Sequence, residues 1–165
     1  MSGPPRRPSL FMNAPPFRLL RLDHVVLRVR DLAAMRAFYC GVLGCAVERD
    51  RPELGLLQLR AGESLIDLVP VDGKLGRLGG AAPGAEGRNV DHLCLRVEPF
   101  DREALAAYLE AAGATLGEFG ERYGADGMGP SQYLVDPEGN TVELKGAPTS
   151  PPVNAVASPA TGSAA

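Results

Sequence analysis

A phrase that the chain contains twice constrains its fold more than any other feature. Residues 22–29 read LDHVVLRV and residues 90–97 read VDHLCLRV, so Asp, His, Leu, Arg and Val recur in the same order. Both histidines of the chain, His24 and His92, stand at the equivalent place in the two copies. A repeat of this kind indicates internal duplication, in which each copy is one supersecondary unit that packs against the other.

The segments after each copy follow the same order. LDHVVLRV alternates as a half-buried strand does, Asp31 is a suitable N-cap for the helix LAAMRAFYCGVL, and Gly44 suits its end. Three strand-like segments follow, CAVERD, GLLQLRA and SLIDLVPV. The second half repeats this order with VDHLCLRV, a helix opened by Asp101, and the strands ATLGEF, SQYLVD and TVELKG. Each half therefore predicts a βαβββ module.

Composition divides the chain into a folded body and two tails. Residues 1–17 and 147–165 are rich in Pro and poor in bulky apolar residues, so we expect both to be disordered. The body, residues 18–146, contains modules at about 18–71 and 89–146, and the Gly-rich stretch between them reads as a linker.

Charge and cysteine content exclude several classes of function. The net charge is −3 and the signs are mixed, so neither a nucleic-acid surface nor a membrane surface is predicted. No apolar run is long enough to span a membrane, and the N-terminus has no signal-peptide core. The three cysteines lack metal-type spacing and indicate reduced thiols in a cytoplasmic protein. The preference for Arg over Lys, with abundant Ala and Gly, suggests a GC-rich bacterial genome.

The last strand of each module carries an acid between two aliphatic residues, Ile66-Asp67-Leu68 in the first and Val142-Glu143-Leu144 in the second. If the aliphatic faces pack on the helices, both acids point with the histidines into one cavity. Two imidazoles with one or two carboxylates are ligands for a divalent transition metal. The alternative is an inherited cavity that holds no ion, because a single histidine at a strand start is usually only a hydrogen-bonding residue.

Other polar residues are candidates for substrate binding. Arg28 and Arg96 share the histidine face, where they would attract an anionic substrate or simply lie in solvent at the rim. Arg122 lies in the stretch GERYGADGMGPSQY, which is either a mobile lid or a long hairpin connection. Tyr133 follows on an inward strand, and Cys94 is expected to line the cavity as a thiol rather than to act as a nucleophile.

Three stretches resemble the vicinal oxygen chelate superfamily, which includes glyoxalase I, extradiol dioxygenases and bleomycin-resistance proteins. They are LDHVVLRVRDLAAMRAFYCGVLGC, VDHLCLRV and YLVDPEGNTVELKG, and the resemblance covers about Leu22 to Lys145. It implies an α+β fold in which paired βαβββ modules form an open, cupped mixed β-sheet barrel. It also implies a homodimer, with modules paired within or between chains.

The resemblance also implies a set of ligands. The metal positions of the family fall on His24, Asp67, His92 and Glu143, with Glu143 and Asp67 as the candidate catalytic carboxylates. The family often has Glu or His where this chain has Asp67, whose side chain is one methylene shorter. Asp67 would then bind the ion directly, hold a metal-bound water, or lie behind the ligands. The implied cofactor is a divalent ion such as Zn, Ni, Co, Mn or Fe.

The residues favour one function over two others. We expect a glyoxalase-like metalloenzyme that chelates a small oxygenated substrate and acts as an isomerase, lyase or transferase. The alternative is a non-catalytic small-molecule binding or antibiotic-resistance protein. The resemblance implies that an extradiol dioxygenase needs a further histidine as acid or base, and this chain uses both of its histidines as ligands. An extradiol dioxygenase is therefore less favoured, although Tyr133 could take the role of that histidine. Stacking of a flat drug is disfavoured because only 5% of the residues are aromatic.

Overall fold

The computed structural model describes residues 17–153, which form eight strands and a few short helices. The strands are β1 (His24–Val29), β2 (Ala46–Arg51), β3 (Leu56–Ala61), β4 (Ser64–Pro70), β5 (His92–Arg96), β6 (Thr115–Gly124), β7 (Gly127–Val135) and β8 (Thr141–Lys145). The helices are α1 (Leu32–Arg36), which continues as a π-helical segment (Ala37–Val42), a 3-10 helix (Gly76–Gly79) and α2 (Arg102–Ala111).

Each module forms a four-stranded mixed sheet with the same topology. The strand orders are β1-β4-β3-β2 and β5-β8-β7-β6. In both sheets the first strand runs parallel to the last, and the last two strands form an antiparallel hairpin. The predicted glyoxalase-like α+β fold of paired βαβββ modules is therefore confirmed, and both sheets are open.

The helices begin and end where the sequence indicates. The Asp31 side chain accepts a hydrogen bond from the backbone N–H of Ala34, and Asp101 caps α2 in the same way. Gly44 and Gly113 follow the two helices with φ of 75° and 77°, a conformation that glycine adopts without strain. One difference is that the first helix widens to a π-helix, in which the Leu43 N–H donates to the Phe38 carbonyl.

Buried contacts join the two modules. One apolar cluster contains fully buried residues of both, including Leu27 and Leu68 from the first and Leu134 and Val142 from the second. The buried Tyr39 hydroxyl donates to Asp136 Oδ2 of the second module at 3.2 Å. The modules thus share one core and cannot separate without exposing it.

Polar contacts fix how the modules meet. The Asn89 side chain donates to the Arg28 carbonyl and accepts from the Arg28 N–H, both at 3.0 Å. The Glu138 carboxylate accepts from the N–H groups of Arg30 and Asp31, directly before α1. Backbone groups at the end of β1 are therefore satisfied by side chains of the second module.

The Arg28 guanidinium anchors the Gly-rich linker. Arg28 donates four hydrogen bonds, of 2.8 to 3.0 Å, to carbonyl oxygens of Gly76, Gly79, Gly80 and Ala81. A Cβ on Gly79 would lie 2.5 Å from Arg28 Nε, so a larger residue there would push the Arg28 side chain away from this position. The linker is packed against the end of β1.

The structure differs from the sequence expectations for the stretch GERYGADGMGPSQY and for the chain after residue 146. The stretch GERYGADGMGPSQY is not a lid, because β6 and β7 run through it and leave only Ala125 and Asp126 between them. The chain also continues beyond residue 146 as part of the fold, since Thr149 and Ser150 hydrogen-bond to Met128. The expected disorder of residues 1–16 and 154–165 lies outside the described part of the chain.

The sequence analysis predicts that no segment of the chain spans a membrane. Within residues 17–153, no helix combines the length and the apolar character of a membrane span.

Replacing Tyr39 with Phe tests the contact between the modules. The Tyr39→Phe variant keeps the ring but removes one hydrogen bond to the buried Asp136 carboxylate, which keeps its bonds from Asn140 and Glu138, so we expect the free energy of unfolding to fall by about 1–3 kcal/mol. Tyr108→Phe is the matched control, because Tyr108 also bonds across the modules, to the Val42 carbonyl, but is 52% exposed. Urea denaturation of both variants measures the difference, and an equal loss would contradict the role given to Tyr39.

Candidate metal and substrate site

The first module presents its candidate ligands on one face of its sheet. The register pairs Asp67 with Val26 on β1 and with Gln58 on β3, and His24 is two residues before Val26. Gln58 Nε2 donates to both oxygens of Asp67, at 3.2 and 3.1 Å. Asp67 is buried, with 5% of its surface exposed, so an amide holds it beside His24.

The second module repeats this arrangement with different polar groups. Glu143 pairs with Cys94 on β5 and with Tyr133 on β7, and His92 is two residues before Cys94. The Tyr133 hydroxyl donates to Glu143 Oε2 at 3.2 Å, from the position that Gln58 occupies in the first module. The Ser131 hydroxyl donates to Glu143 Oε1 at 2.5 Å.

These hydrogen bonds decide the charge of Glu143. Burial alone would raise the pKa of this carboxyl. Hydrogen bonds from Ser131, Tyr133 and Cys94, together with the nearby His92, outweigh burial and hold the pKa of Glu143 below its ordinary value. Glu143 is therefore an anion at neutral pH and supplies a buried negative charge beside an imidazole.

Each histidine is oriented by the acid that precedes it. His24 Nδ1 lies 2.9 Å from Asp23 Oδ1, and His92 Nδ1 lies 2.8 Å from Asp91 Oδ2. A carboxylate on Nδ1 places the proton there and leaves Nε2 as the coordinating atom, as metal-ligating histidines commonly require. The repetition of an aspartate directly before each histidine was a visible signal of this arrangement in the sequence.

The spacing of His92 and Glu143 suits a shared cation. His92 Nε2 lies 3.3 Å from Glu143 Oε2. Ligand bonds of about 2.1 Å that meet at angles between square and tetrahedral separate neighbouring donor atoms by roughly 3.0–3.4 Å. This pair therefore fits two adjacent positions around a divalent ion.

Within one chain the four candidates remain two pairs. His24 lies beside Asp67, and His92 beside Glu143. In the part of the chain that the structure describes, no three His, Cys, Asp or Glu side chains are grouped closely enough to hold an ion. The donor types and the histidine orientation fit a metal, whereas a single chain does not by itself complete its ligand set.

Two adjoining cavities lie beside these pairs. The larger, which we call the seam cavity, has a volume of about 710 Å³, lies between β1 and β5, and is lined by His24 and Cys94. The smaller, the glutamate cavity, has a volume of about 370 Å³ and is lined by His92, Cys94 and Glu143. Because Cys94 and Arg96 line both cavities, a ligand in one lies next to the other.

The arginines that the sequence proposed for substrate binding differ in their availability. Arg28 donates to the linker carbonyls, so its terminal nitrogens are engaged within the protein. Arg122 forms an ion pair with Glu118 at 3.0 Å and lies above the Tyr133 ring at 5.7 Å. Arg96 lines both cavities, and its Nε lies 3.6 Å from Asp126. Arg96 is the member of the repeated arginine pair that faces open space.

Cys94 is placed as a thiol of the cavity wall. Burial and, to a smaller extent, the neighbouring Glu143 charge raise the pKa of Cys94 to about 11. A thiol with this pKa is protonated at neutral pH and is a poor nucleophile. Its contact with Glu143 is that of a hydrogen-bond donor.

Comparison with known proteins identifies a matching family. The model of the Glyoxalase/Bleomycin resistance protein/Dioxygenase superfamily matches residues 21–144. This range contains both modules and all four candidate ligands.

Solved structures share this fold. A protein from the mobile metagenome of V. Pseudocholerae is 27% identical, with a TM-score of 0.66 over 79% of this chain and 96% of that one. A lactoylglutathione lyase from Agrobacterium tumefaciens is 20% identical, with a TM-score of 0.57 over 78% and 95%. TnmS3, an antibiotic binding protein from Streptomyces sp. CB03234, is 21% identical, with a TM-score of 0.58 over 79% and 98%. The last two show the fold alone.

The role of Asp23 can be tested by titrating His24. The Asp23 carboxylate accepts a hydrogen bond from the imidazolium and so raises the pKa of His24, with a smaller contribution from Asp67. In Asp23→Asn we expect this pKa to fall, so that His24 loses its proton at a lower pH than in the wild type. Ring-proton NMR measures the midpoint, and His92→Gln assigns the two signals. Asp50→Asn is the exposed control, and an unchanged His24 midpoint in Asp23→Asn would contradict the orientation argument.

Proposed function

The chain belongs to the Glyoxalase/Bleomycin resistance protein/Dioxygenase superfamily, and on that premise we propose that it is a glyoxalase-like metalloenzyme. It acts on a small, oxygenated, anionic substrate as an isomerase, lyase or transferase. The observation that carries this proposal is the repeated pairing of an oriented imidazole with a buried carboxylate, which is most direct at His92 and Glu143.

In this proposal His24, His92 and Glu143 hold a divalent ion, and Asp67 completes the set. When bound, the ion would act as a Lewis acid that polarises two neighbouring oxygens of the substrate. Glu143, ionised and fixed by Ser131 and Tyr133, accepts the proton next to the substrate carbonyl, or Asp67 does so from the other pair. The two hydroxyls fix the carboxylate before substrate arrives, which is the preorganisation that proton transfer needs.

We propose further that two copies of the chain complete one site. The described residues of a single chain form two pairs of candidate ligands and no larger group. Val26, which lies between His24 and Arg28 on the first module, is 46% exposed, and Leu19 and Leu20 before β1 are 90% and 77% exposed. Apolar side chains in such exposed positions favour contact with a partner surface. We infer a homodimer in which the His24 pair of one copy faces the His92 pair of the other. Such a dimer would bury these apolar side chains.

Substrate contacts in this proposal come from the glutamate cavity. Arg96 and Lys145 line it together with His92, so an anionic group would be attracted there. Tyr133 and Cys94 offer polar hydrogens near Glu143, and Arg122 lies behind the Tyr133 ring. These groups would orient the substrate relative to the carboxylate.

The alternative function is a non-catalytic small-molecule binding protein. Both acids are already hydrogen-bonded by neutral side chains, Asp67 by Gln58 and Glu143 by Ser131 and Tyr133, which stabilises the cavity without an ion. A protein that binds its ligand with full affinity after treatment with a chelator would support this alternative. An extradiol dioxygenase remains less favoured because the sequence contains only two histidines.

Metal titration tests the ligand set. We expect chelator-treated wild-type protein to bind a divalent ion such as zinc, measured by calorimetry and elemental analysis. His24→Ala, His92→Ala and Glu143→Gln should each weaken binding by more than about tenfold, because each removes a donor atom or its charge. Glu86→Gln, on the exposed surface, is the control for the loss of an acid. Unchanged affinity in Glu143→Gln or in both histidine variants would count against the site.

Mixing two inactive variants tests whether the site is shared. If sites form between chains, co-expressed His24→Ala and His92→Ala chains produce mixed dimers in which one site has both histidines. We then expect about a quarter of the wild-type metal sites to return, as random assortment in a symmetric dimer predicts. If each site lies within one chain, every site lacks a histidine and nothing returns. No recovery, with dimers confirmed by sedimentation, would refute the shared site.

A further inference from the structure

The two repeats differ at the position that closes the seam between the modules. β1 and β5 are edge strands of separate sheets, so each has one edge without a neighbouring strand. The repeat extends one residue before the common phrase, where Arg21 of the first copy corresponds to Asn89 of the second. These two residues occupy equivalent positions at opposite ends of the seam.

At one end the seam is closed. The Asn89 amide bonds to both the N–H and the C=O of Arg28, much as a neighbouring strand would, and Asn89 also approaches Asn140 at 3.4 Å. The Arg28 side chain is bound by the linker at the same end. The backbone N–H and C=O of Arg28 and both terminal nitrogens of its guanidinium are therefore bonded within the protein.

At the other end the seam is open. Arg21 does not repeat the contact of Asn89 but extends to Glu63, with Nη1 3.2 Å from Oε2. Arg96, the counterpart of Arg28, borders the seam cavity of about 710 Å³. The volume lies within the range of small-molecule sites, which is about 300–1,000 Å³.

The walls of the seam cavity are aliphatic. Its described lining residues include no Phe, Tyr or Trp. The apolar part of the lining consists largely of Leu22, Val25, Leu43, Ile66, Leu93 and Leu95. Such walls suit a flexible hydrocarbon chain and offer no surface on which an aromatic ring could stack.

The rim of the same cavity is cationic. Three arginines, Arg21, Arg60 and Arg96, line it with two acids, Glu63 and Asp126. Both acids are largely exposed, at 90% and 62%, and Arg60 forms a third ion pair with the exposed Glu48 through contacts of 3.1 and 3.2 Å. Exposed ion pairs of this kind add little stability, so a ligand can compete with them. A ligand carboxylate can replace these contacts and bind guanidinium groups in a partly dry site.

We propose that the seam cavity binds a monocarboxylate with an aliphatic chain, with the chain between β1 and β5 and the carboxylate at the arginine rim. This goes beyond the proposed metalloenzyme function, because the arginines hold the ligand and no metal takes part. The ligand would lie next to His24 and Cys94, and thus close to the proposed active site. The seam cavity would then hold the chain of a substrate or a separate effector.

The test uses octanoate and the full chain after treatment with a chelator, so that failure of the metal site does not affect the result. Calorimetry should detect octanoate binding. Octanol lacks the charge and should bind at least about tenfold more weakly, as expected when a charge-assisted hydrogen bond is lost. Acetate lacks the chain and should show no measurable binding. Arg21→Gln and Arg60→Gln should each weaken octanoate binding severalfold, whereas Arg49→Gln, on the exposed surface of β2, should not.

Both key arginines have exposed side chains, at 53% and 38%, so their variants should fold, and circular dichroism verifies this. Equal affinity for octanoate and octanol would overturn the carboxylate assignment. No octanoate binding to the wild type, or equal losses in the Arg49→Gln control, would overturn the site itself.

Discussion

The parallel pairing of the first strand with the last strand of each module determines where every functional group lies. Because β1 pairs with β4 in the register Val26 to Asp67, the acid and His24 share one face of the sheet. The same pairing of β5 with β8 sets Cys94 opposite Glu143 and places His92 on the equivalent face. A shift of one residue in either pairing would turn the acid into the apolar core. Aliphatic neighbours such as Ile66 and Val142, both fully buried, oppose such a shift.

Within this frame the two copies have diverged in what surrounds each acid. Gln58 holds Asp67 through one amide, whereas Glu143 is held by two hydroxyls and contacts an imidazole. The two equivalent arginines also differ in their surroundings. Arg28 anchors the linker, whereas Arg96 lies beside open cavities. The arginine of the first module therefore stabilises the fold, whereas the second module places more polar side chains beside its acid and its cavities.

The order of strands and helices was predictable from the sequence, because it depends on periodicity and on local signals such as helix caps. The alternation in LDHVVLRV, the caps Asp31 and Asp101 and the repeated order of elements predicted both modules correctly. The hairpin of β6 and β7 was harder, since its glycines also suit a loop and only cross-strand pairing extends the strands to Gly124 and Gly127.

The contacts of individual side chains were not predictable, because they depend on tertiary approach. No sequence pattern indicates that the Gln58 amide bonds to Asp67. The hydrogen bonds of Arg28 to the linker likewise depend on a close approach to Gly79. The predicted roles of His24, Asp67, His92 and Glu143 stay predictions. A pattern can place residues on one face, but it does not say whether two faces meet within a chain or between chains.

The central claim is that both imidazoles reach one ion together with at least one carboxylate. X-ray absorption spectroscopy of the zinc-loaded protein measures this directly, because imidazole rings give distinctive outer-shell scattering. The account predicts a nitrogen and oxygen shell at about 2.0–2.1 Å with scattering from two imidazole rings. A shell with one imidazole or none, in protein that has bound zinc stoichiometrically, would contradict it.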